Sequence, residues 1–206
     1  MGLANIIKKL LYFGCIDACD LMRAFVAVDI DEAVRRRLVA AQEQLAATGA
    51  DLKLVEPPNI HVTMKFLGEV PEDKISAIAE ALQKAVAGTA QFDVNVRGIG
   101  AFPNLNYIRV VWAGVAEGHD ETTSVQRKID QELQPLGFRM ERDFVPHLTI
   151  ARVKTAKQKE RLAAFVKEMG DAEFGISRAQ AVELKQSALT PKGPIYSTIA
   201  RVELGP

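Results

Sequence analysis

Two stretches of the chain alternate apolar and polar residues at the period of a half-buried β-strand, 60–67 and 145–153. In Ile60-His-Val-Thr-Met-Lys-Phe-Leu67, extended geometry predicts His61 and Thr63 on one face, with Val62, Met64 and Phe66 on the other. In Val145-Pro-His-Leu-Thr-Ile-Ala-Arg-Val153, His147 and Thr149 repeat the arrangement against Leu148 and Ile150. Each strand therefore offers an imidazole and a hydroxyl side by side above an apolar back. One His-x-Thr tripeptide means little, because a lone strand histidine is usually a hydrogen-bonded structural one. Here the two copies use two of only three histidines in 206 residues.

The copies sit inside a longer duplication. Upstream of His61 comes a strand-like run, Arg23-Ala-Phe-Val-Ala-Val28, then apolar residues at helix spacing, Val34, Leu38, Ala41 and Leu45. Upstream of His147 come Tyr107-Ile-Arg-Val-Val-Trp112 and a helical pattern through Val125, Ile129 and Leu133. A helix follows each motif. Pro71-Glu72-Asp73 predicts the start of one running through Ile78 and Leu82, and residues 155–169 predict the other, through Leu162, Phe165 and Val166. Each half closes with a strand, Phe92-Asp-Val-Asn-Val-Arg97 and Ala179-Gln-Ala-Val-Glu-Leu184. The order strand–helix–His strand–helix–strand thus occurs twice, with the histidines 86 residues apart. That period is too long for a solenoid. It predicts two lobes about a pseudo-twofold axis, with the equivalent His strands meeting at the centre.

Composition narrows the function classes. Apolar content of 48% and charged content of 25% are ordinary for a globular domain, and 26 basic residues balance 26 acidic ones. No global field steers polyanions, so nucleic acid would be recognised over a few nucleotides only. No apolar run is long enough to span a bilayer. Both cysteines, Cys15 and Cys19, lie in the first 21 residues, so the body of the chain needs no disulfide and a cytoplasmic location is expected. Lys8-Lys9 and Leu10–Ile16 resemble a signal peptide superficially, but Asp17 and Asp20 cut the apolar stretch short. Residues 1–21 read as an upstream extension or a misassigned start ahead of Met22, and residues 22–206 as the folded domain.

The motifs His61-Val-Thr-Met-Lys-Phe-Leu-Gly68 and Pro146-His-Leu-Thr-Ile-Ala-Arg152, with Met22-Arg-Ala-Phe-Val-Ala27 and Gly100-Ala-Phe-Pro103, resemble those of the two-histidine (2H) phosphoesterases. The likeness is to the bacterial and archaeal RNA 2′,3′-cyclic phosphodiesterases, also called 2′-5′ RNA ligases, and it covers Met22 to about the C-terminus. It implies an α+β fold of two lobes, with two mainly antiparallel sheets and outer helices around a central cleft. It implies hydrolysis of a 2′,3′-cyclic phosphate at an RNA end to a 2′-phosphomonoester, with no metal and no cofactor, and reverse 2′-5′ joining in some members. By the same resemblance His61 is the general acid, His147 the general base, and Thr63 and Thr149 hold the non-bridging oxygens. Phe66 would stack on the terminal base and Arg152 would contact phosphate.

Elementary chemistry leads to the same residue types. Opening a phosphodiester takes a proton from water on one side of phosphorus and delivers one to the leaving oxygen on the other, and histidine does either near neutral pH. Which histidine is acid and which base stays open. Strict alternation also places Phe66 and Arg152 on the face opposite the histidines, where Phe66 would be core, while Lys65 shares the parity of His61 and would bring a positive charge to phosphate. His119, in Glu117-Gly-His-Asp120, is expected in a loop, and Pro57-Pro58 and Pro191-Lys-Gly-Pro194 in rigid turns, the second at the cleft rim. The expected partners are RNA 3′ ends bearing a cyclic phosphate, or short nucleotides, bound by a monomer. Three rivals remain: a non-catalytic module gripping phosphate, a phosphodiesterase for small cyclic nucleotides, and a metallohydrolase. The last lacks a carboxylate or third histidine at ligand spacing on either strand.

Overall fold

The computed structural model describes residues 21–191 and 193–206. The reading of the first 21 residues therefore falls outside the described residues, except for Leu21, which opens the first strand. In chain order the elements are β1 (Leu21–Val28), α1 (Glu32–Ala47), β2 (Leu52–Leu54), β3 (Val62–Pro71), α2 (Ile75–Val86), β4 (Phe92–Asn104), β5 (Tyr107–Val115), α3 (His119–Leu133), β6 (His147–Val153), α4 (Lys159–Glu168), β7 (Glu173–Ala179), β8 (Ala181–Thr190) and β9 (Gly193–Glu203). The helices follow their apolar spacing. Val34, Leu38, Ala41 and Leu45 form the buried stripe of α1, and Val125, Ile129 and Leu133 that of α3. His119 is the first residue of α3 rather than a loop residue, because Gly118 takes φ 82° and turns the chain directly into the helix.

The α+β class and the antiparallel pairing are as expected, but the strands join into one nine-stranded sheet instead of two. Its order is β7-β4-β5-β6-β3-β1-β8-β9, with β2 added along β6. The join is narrow: β3 and β6 share a single Cα pairing, Val62 with Leu148. On one flank β3 pairs β1, which pairs β8, and on the other β6 pairs β5, which pairs β4. The closing strand of each sequence half thus lies beside the opening strand of the other. The helices cross over too, since α1, which follows β1, packs against β6 and β7, while α3, which follows β5, packs against α2 and β3.

Both His strands are bulged at the same point. On the β1–β3 ladder Val26 faces Lys65 and Ala27 faces Thr63, leaving Met64 as the extra residue. On the β5–β6 ladder Val111 faces Ala151 and Trp112 faces Thr149, leaving Ile150 extra. An extra residue reverses the alternation beyond it. Met64 and Lys65 are both buried, as are Ile150 and Ala151, and the side chains of Phe66 and Arg152 return to the face of the histidines.

The bulges are stabilised from the helices. Gln42 of α1 donates from Nε2 to the Ile150 and Val55 carbonyls, 2.8 Å each, and the Val55 amide donates to the same Ile150 oxygen at 2.9 Å. The Lys65 ammonium, 3% exposed, donates to the Asp130 carboxylate of α3 and to the Arg139 carbonyl at 2.7 Å. Asp130 also accepts from Gln126 Nε2 at 2.9 Å and from the Glu141 amide at 2.7 Å. This corrects the expectation for Lys65. The bulge turns it away from the cleft into a closed ion pair, so it supplies no charge to a bound phosphate.

Removing one member of a buried ion pair strands the other charge, and the cost is about 3–5 kcal/mol. Lys65→Ala and Asp130→Ala should each lose stability on that scale in denaturant unfolding, and a joint Lys65→Met/Asp130→Leu replacement should lose less than either. Equal losses near zero would show that the pair does not hold the bulge.

Candidate active site

The geometry at the join brings the motifs together. About the Val62–Leu148 pair the antiparallel register sets His61 across from Thr149 and Thr63 across from His147. Ideal strand spacing then separates the two histidine Cα atoms by roughly 8 Å, on one face of the sheet. His61, Thr63, Phe66, Thr149 and Arg152 line a common cleft of about 190 Å³, whose wall also includes Phe25, Tyr196 and the 53–56 segment with Lys53 and Glu56. Gly193 and Pro194, from the second proline turn, stand on the cleft wall. His147 stands beside that lining rather than in it, held edge-on by Phe102 at 5.0 Å and Trp112 at 6.2 Å between ring centroids. Lys65 is absent from the site for the reason given above.

Each histidine rests in an aromatic cradle that the sequence pattern did not disclose. The His61 ring stacks on Phe25 at 5.0 Å and 23°, and meets Tyr196 edge-on at 5.6 Å. Trp112 gains its place from Gly100 across the ladder, where a Cβ would fall 2.2 Å from the indole. Phe25 and Phe102 lie in the stretches whose likeness to the family was noted, so they were visible as motif context. Tyr196 was visible through nothing, since it comes from the last strand and reaches the site only through the β8–β1 pairing.

Hydrogen bonds orient the rings. His61 Nε2 lies 3.0 Å from Thr63 Oγ1. His147 donates from Nδ1 to the Val145 carbonyl at 2.7 Å, which leaves Nε2 with its lone pair. The turn ahead of His61 is fixed by Arg35 of α1, whose guanidinium donates to the Pro57 and Ile60 carbonyls at 2.6 and 3.0 Å and to Asp29 at 2.9 Å. Phe66 is 67% exposed, its ring open to the cleft.

Burial lowers the proton affinity of both histidines. His61 falls from the ordinary 6.5 to about 4, chiefly because desolvation disfavours the imidazolium and next because the Lys185 ammonium is near. His147 is also lowered, first by desolvation, with the Val145 carbonyl opposing and Arg152 adding to the shift. Lys185 is itself engaged with Glu183 at 2.8 Å and Asp29 at 3.4 Å. At neutral pH both rings are therefore neutral in the free protein, and an anion in the cleft would draw a proton onto one of them.

A single sheet joined through two His-x-Thr strands beside one cleft is the architecture of a LigT-like 2H phosphoesterase, the family to which comparison with known proteins assigns the chain. The LigT like Phosphoesterase model matches residues 28–112 and 114–196, one motif in each stretch, and the chain belongs to that family. Among its relatives, the RNA 2′,3′-cyclic phosphodiesterase of Methanothermobacter thermautotrophicus is 44% identical over 176 residues, covering 85% of this chain and 95% of its own. That of Methanocaldococcus jannaschii is 41% identical over 178 residues, covering 86% and 98%. In three dimensions the chain is similar to TT0787 of Thermus thermophilus, with TM-score 0.75 and 29% identity over 89% of this chain and 98% of that one. It shares the fold of E. coli LigT complexed with 3′-AMP, with TM-score 0.73 and 21% identity over 89% and 98%.

Inorganic phosphate should raise the His61 proton affinity above about 4, because an anion beside the ring offsets its desolvation. Ring resonances followed by NMR against pH, with and without phosphate, would show the midpoint moving up. An unmoved midpoint would place the anion elsewhere.

Proposed function

We propose that this protein opens 2′,3′-cyclic phosphodiesters at RNA ends to give 2′-phosphomonoesters, with His61 and His147 as the acid–base pair. The observation that carries the reading is the pairing of Val62 with Leu148, which sets two His-x-Thr strands side by side with matching bulges. The relatives named above, at 44% and 41% identity over most of the chain, support cyclic phosphodiester hydrolysis and an RNA substrate.

In this mechanism the cyclic phosphate lies between the motifs. His147, with its Nε2 lone pair free, removes a proton from water as the water oxygen bonds to phosphorus. His61, protonated when the anionic substrate binds, gives its proton to the 3′ oxygen as the P–O3′ bond breaks. The Thr63 and Thr149 hydroxyls donate to the non-bridging oxygens, where negative charge grows. Phe66 offers a face for the terminal base, and Arg152 a guanidinium for phosphate. Joining RNA through a 2′-5′ linkage would use the same proton transfers in the same direction, with the 5′-hydroxyl of a second strand in place of water.

The bilobal duplication belongs to the same reading, supported by the family model matching in two stretches and by the exchanged strands. Residues 22–206 would act as one unit, as a monomer in the cytoplasm. Among the described residues no helix is long and apolar enough to cross a membrane. Nor do three or more His, Cys, Asp or Glu side chains converge among those residues as a cation site. Of the other rivals, a merely phosphate-gripping module would not need two titratable rings.

The test is incubation with an oligoribonucleotide ending in a 2′,3′-cyclic phosphate, with chelator present. A 2′-phosphate product is expected, and His61→Ala or His147→Ala should each lower kcat by about 10²–10⁴-fold or more. The profile of kcat/KM against pH should be a bell with its optimum below 6.5. It falls on the acid side as the base protonates and on the alkaline side as the acid loses its proton, and both affinities are lowered in the free protein. The kcat bell should lie at higher pH, because bound phosphate restores the proton. A 3′-phosphate product, or full activity in either variant, would overturn the assignment.

A further inference from the structure

A second groove leaves the cleft at Arg152, which lines both. It has a volume of about 550 Å³ and runs between the start of β5, the end of β6 and the first turn of α4. Four cations line it, Arg109, Arg152, Lys154 and Lys159, and no aspartate or glutamate does. In a chain whose 26 basic and 26 acidic residues cancel, that segregation is a local positive field.

The groove also holds a flat surface ready for a base. Tyr107 is 58% exposed, and Arg109 braces it, donating from Nε to the phenol oxygen at 3.1 Å with its guanidinium carbon 5.3 Å from the ring centroid. No carboxylate lies within ion-pair reach of Arg109 among the described residues. Lys159 reaches Glu160 at 3.7 Å, but both side chains are largely exposed and the pair is weak. Cations that follow a groove, together with an aromatic face, are the combination that holds single-stranded nucleic acid without reading its sequence.

We propose that this groove binds the RNA strand on the 5′ side of the reacting end. The inference rests on the function proposed above, and it specifies the substrate: a single-stranded RNA terminus of several nucleotides, with a lone cyclic nucleotide as a poorer one. The backbone would pass Arg152, meet Lys154 and Lys159 through its phosphates, and lay a base on Tyr107.

The test compares adenosine 2′,3′-cyclic phosphate with oligoribonucleotides of two to six residues ending in the same group. The proteins are the wild type and Arg109→Gln/Lys159→Gln, neither residue belonging to the reacting site. Wild-type kcat/KM should rise with length, by roughly tenfold or more at four nucleotides, and the double variant should lose that gain. Mononucleotide hydrolysis should be unchanged in the variant, which also shows that it is folded. The salt dependence of the oligonucleotide reaction should become shallower, by a slope of roughly 0.7 for each phosphate that the variant leaves without a cation. A flat length profile in the wild type, or an equal loss for mononucleotide and oligonucleotide, would overturn the proposal. Anisotropy of a 5′-labelled oligonucleotide separates the two readings. If no cyclic phosphate is opened, the catalytic reading fails, while weaker binding by the variant would still support the groove and unchanged binding would dismiss it.

Discussion

One extra residue in each of two strands sets the site. Without a bulge after the threonine, a strand can offer only every second residue to the cleft, and the position five beyond the histidine is lost to the other face. With Met64 and Ile150 doubled against a single partner, the imidazole, the hydroxyl and the fifth residue all share one surface. The bulge frees backbone groups and puts two consecutive side chains into the core, and both consequences must be met by neighbours. Gln42 and the Val55 amide meet the first at Ile150. In the other strand the second core-facing residue is a lysine, met by Asp130. These partners tie the two motifs together, since the Lys65–Asp130 pair also anchors the Arg139 carbonyl and the Glu141 amide ahead of β6.

Holding both histidines among aromatic rings has an electrostatic consequence. A dry cradle fixes the rings but disfavours their charged forms, and so opposes the protonated state that a general acid needs. In the mechanism proposed above, the phosphate charge of the substrate would make an imidazolium favourable there. Lys185, tied to Glu183 and Asp29, adds to the depression while its own charge is largely balanced.

The two His-x-Thr strands, the helices between them and the repeated order were legible because each rests on local periodicity. Period-two reasoning stops working at the bulges. Strict alternation gives Lys65 to the cleft and Phe66 to the core, whereas the family resemblance points Phe66 to the cleft, and one inserted residue exchanges the two. A hint lay in the second motif, where Ile150 and Ala151 are adjacent apolar residues in an otherwise alternating strand. In the first motif the same position is a lysine, and its buried partner lies 65 residues away, out of reach of any local pattern. The exchange of closing strands and helices between the two flanks was equally invisible, as it depends on which of two similar surfaces each element buries. Tyr196 arrived at the site by that exchange.

Given two nearly equivalent strands, a cyclic phosphate could bind in either of two orientations unless something breaks the equivalence. The His-x-Thr tripeptides themselves repeat, but their settings do not: His61 lines the cleft beside Phe25 and Tyr196, while His147 stands next to it with Nδ1 bonded to the Val145 carbonyl. The residue that each bulge returns to the cleft differs too, a phenyl ring on one strand and a guanidinium on the other. An exposed ring favours a base, and a guanidinium favours phosphate. The same arginine opens onto the basic groove, whereas the ring at the matching position sits close to Phe25, 6.3 Å between centroids. Base toward Phe66 and strand toward Arg152 is then the one orientation in which both substituents meet suitable chemistry.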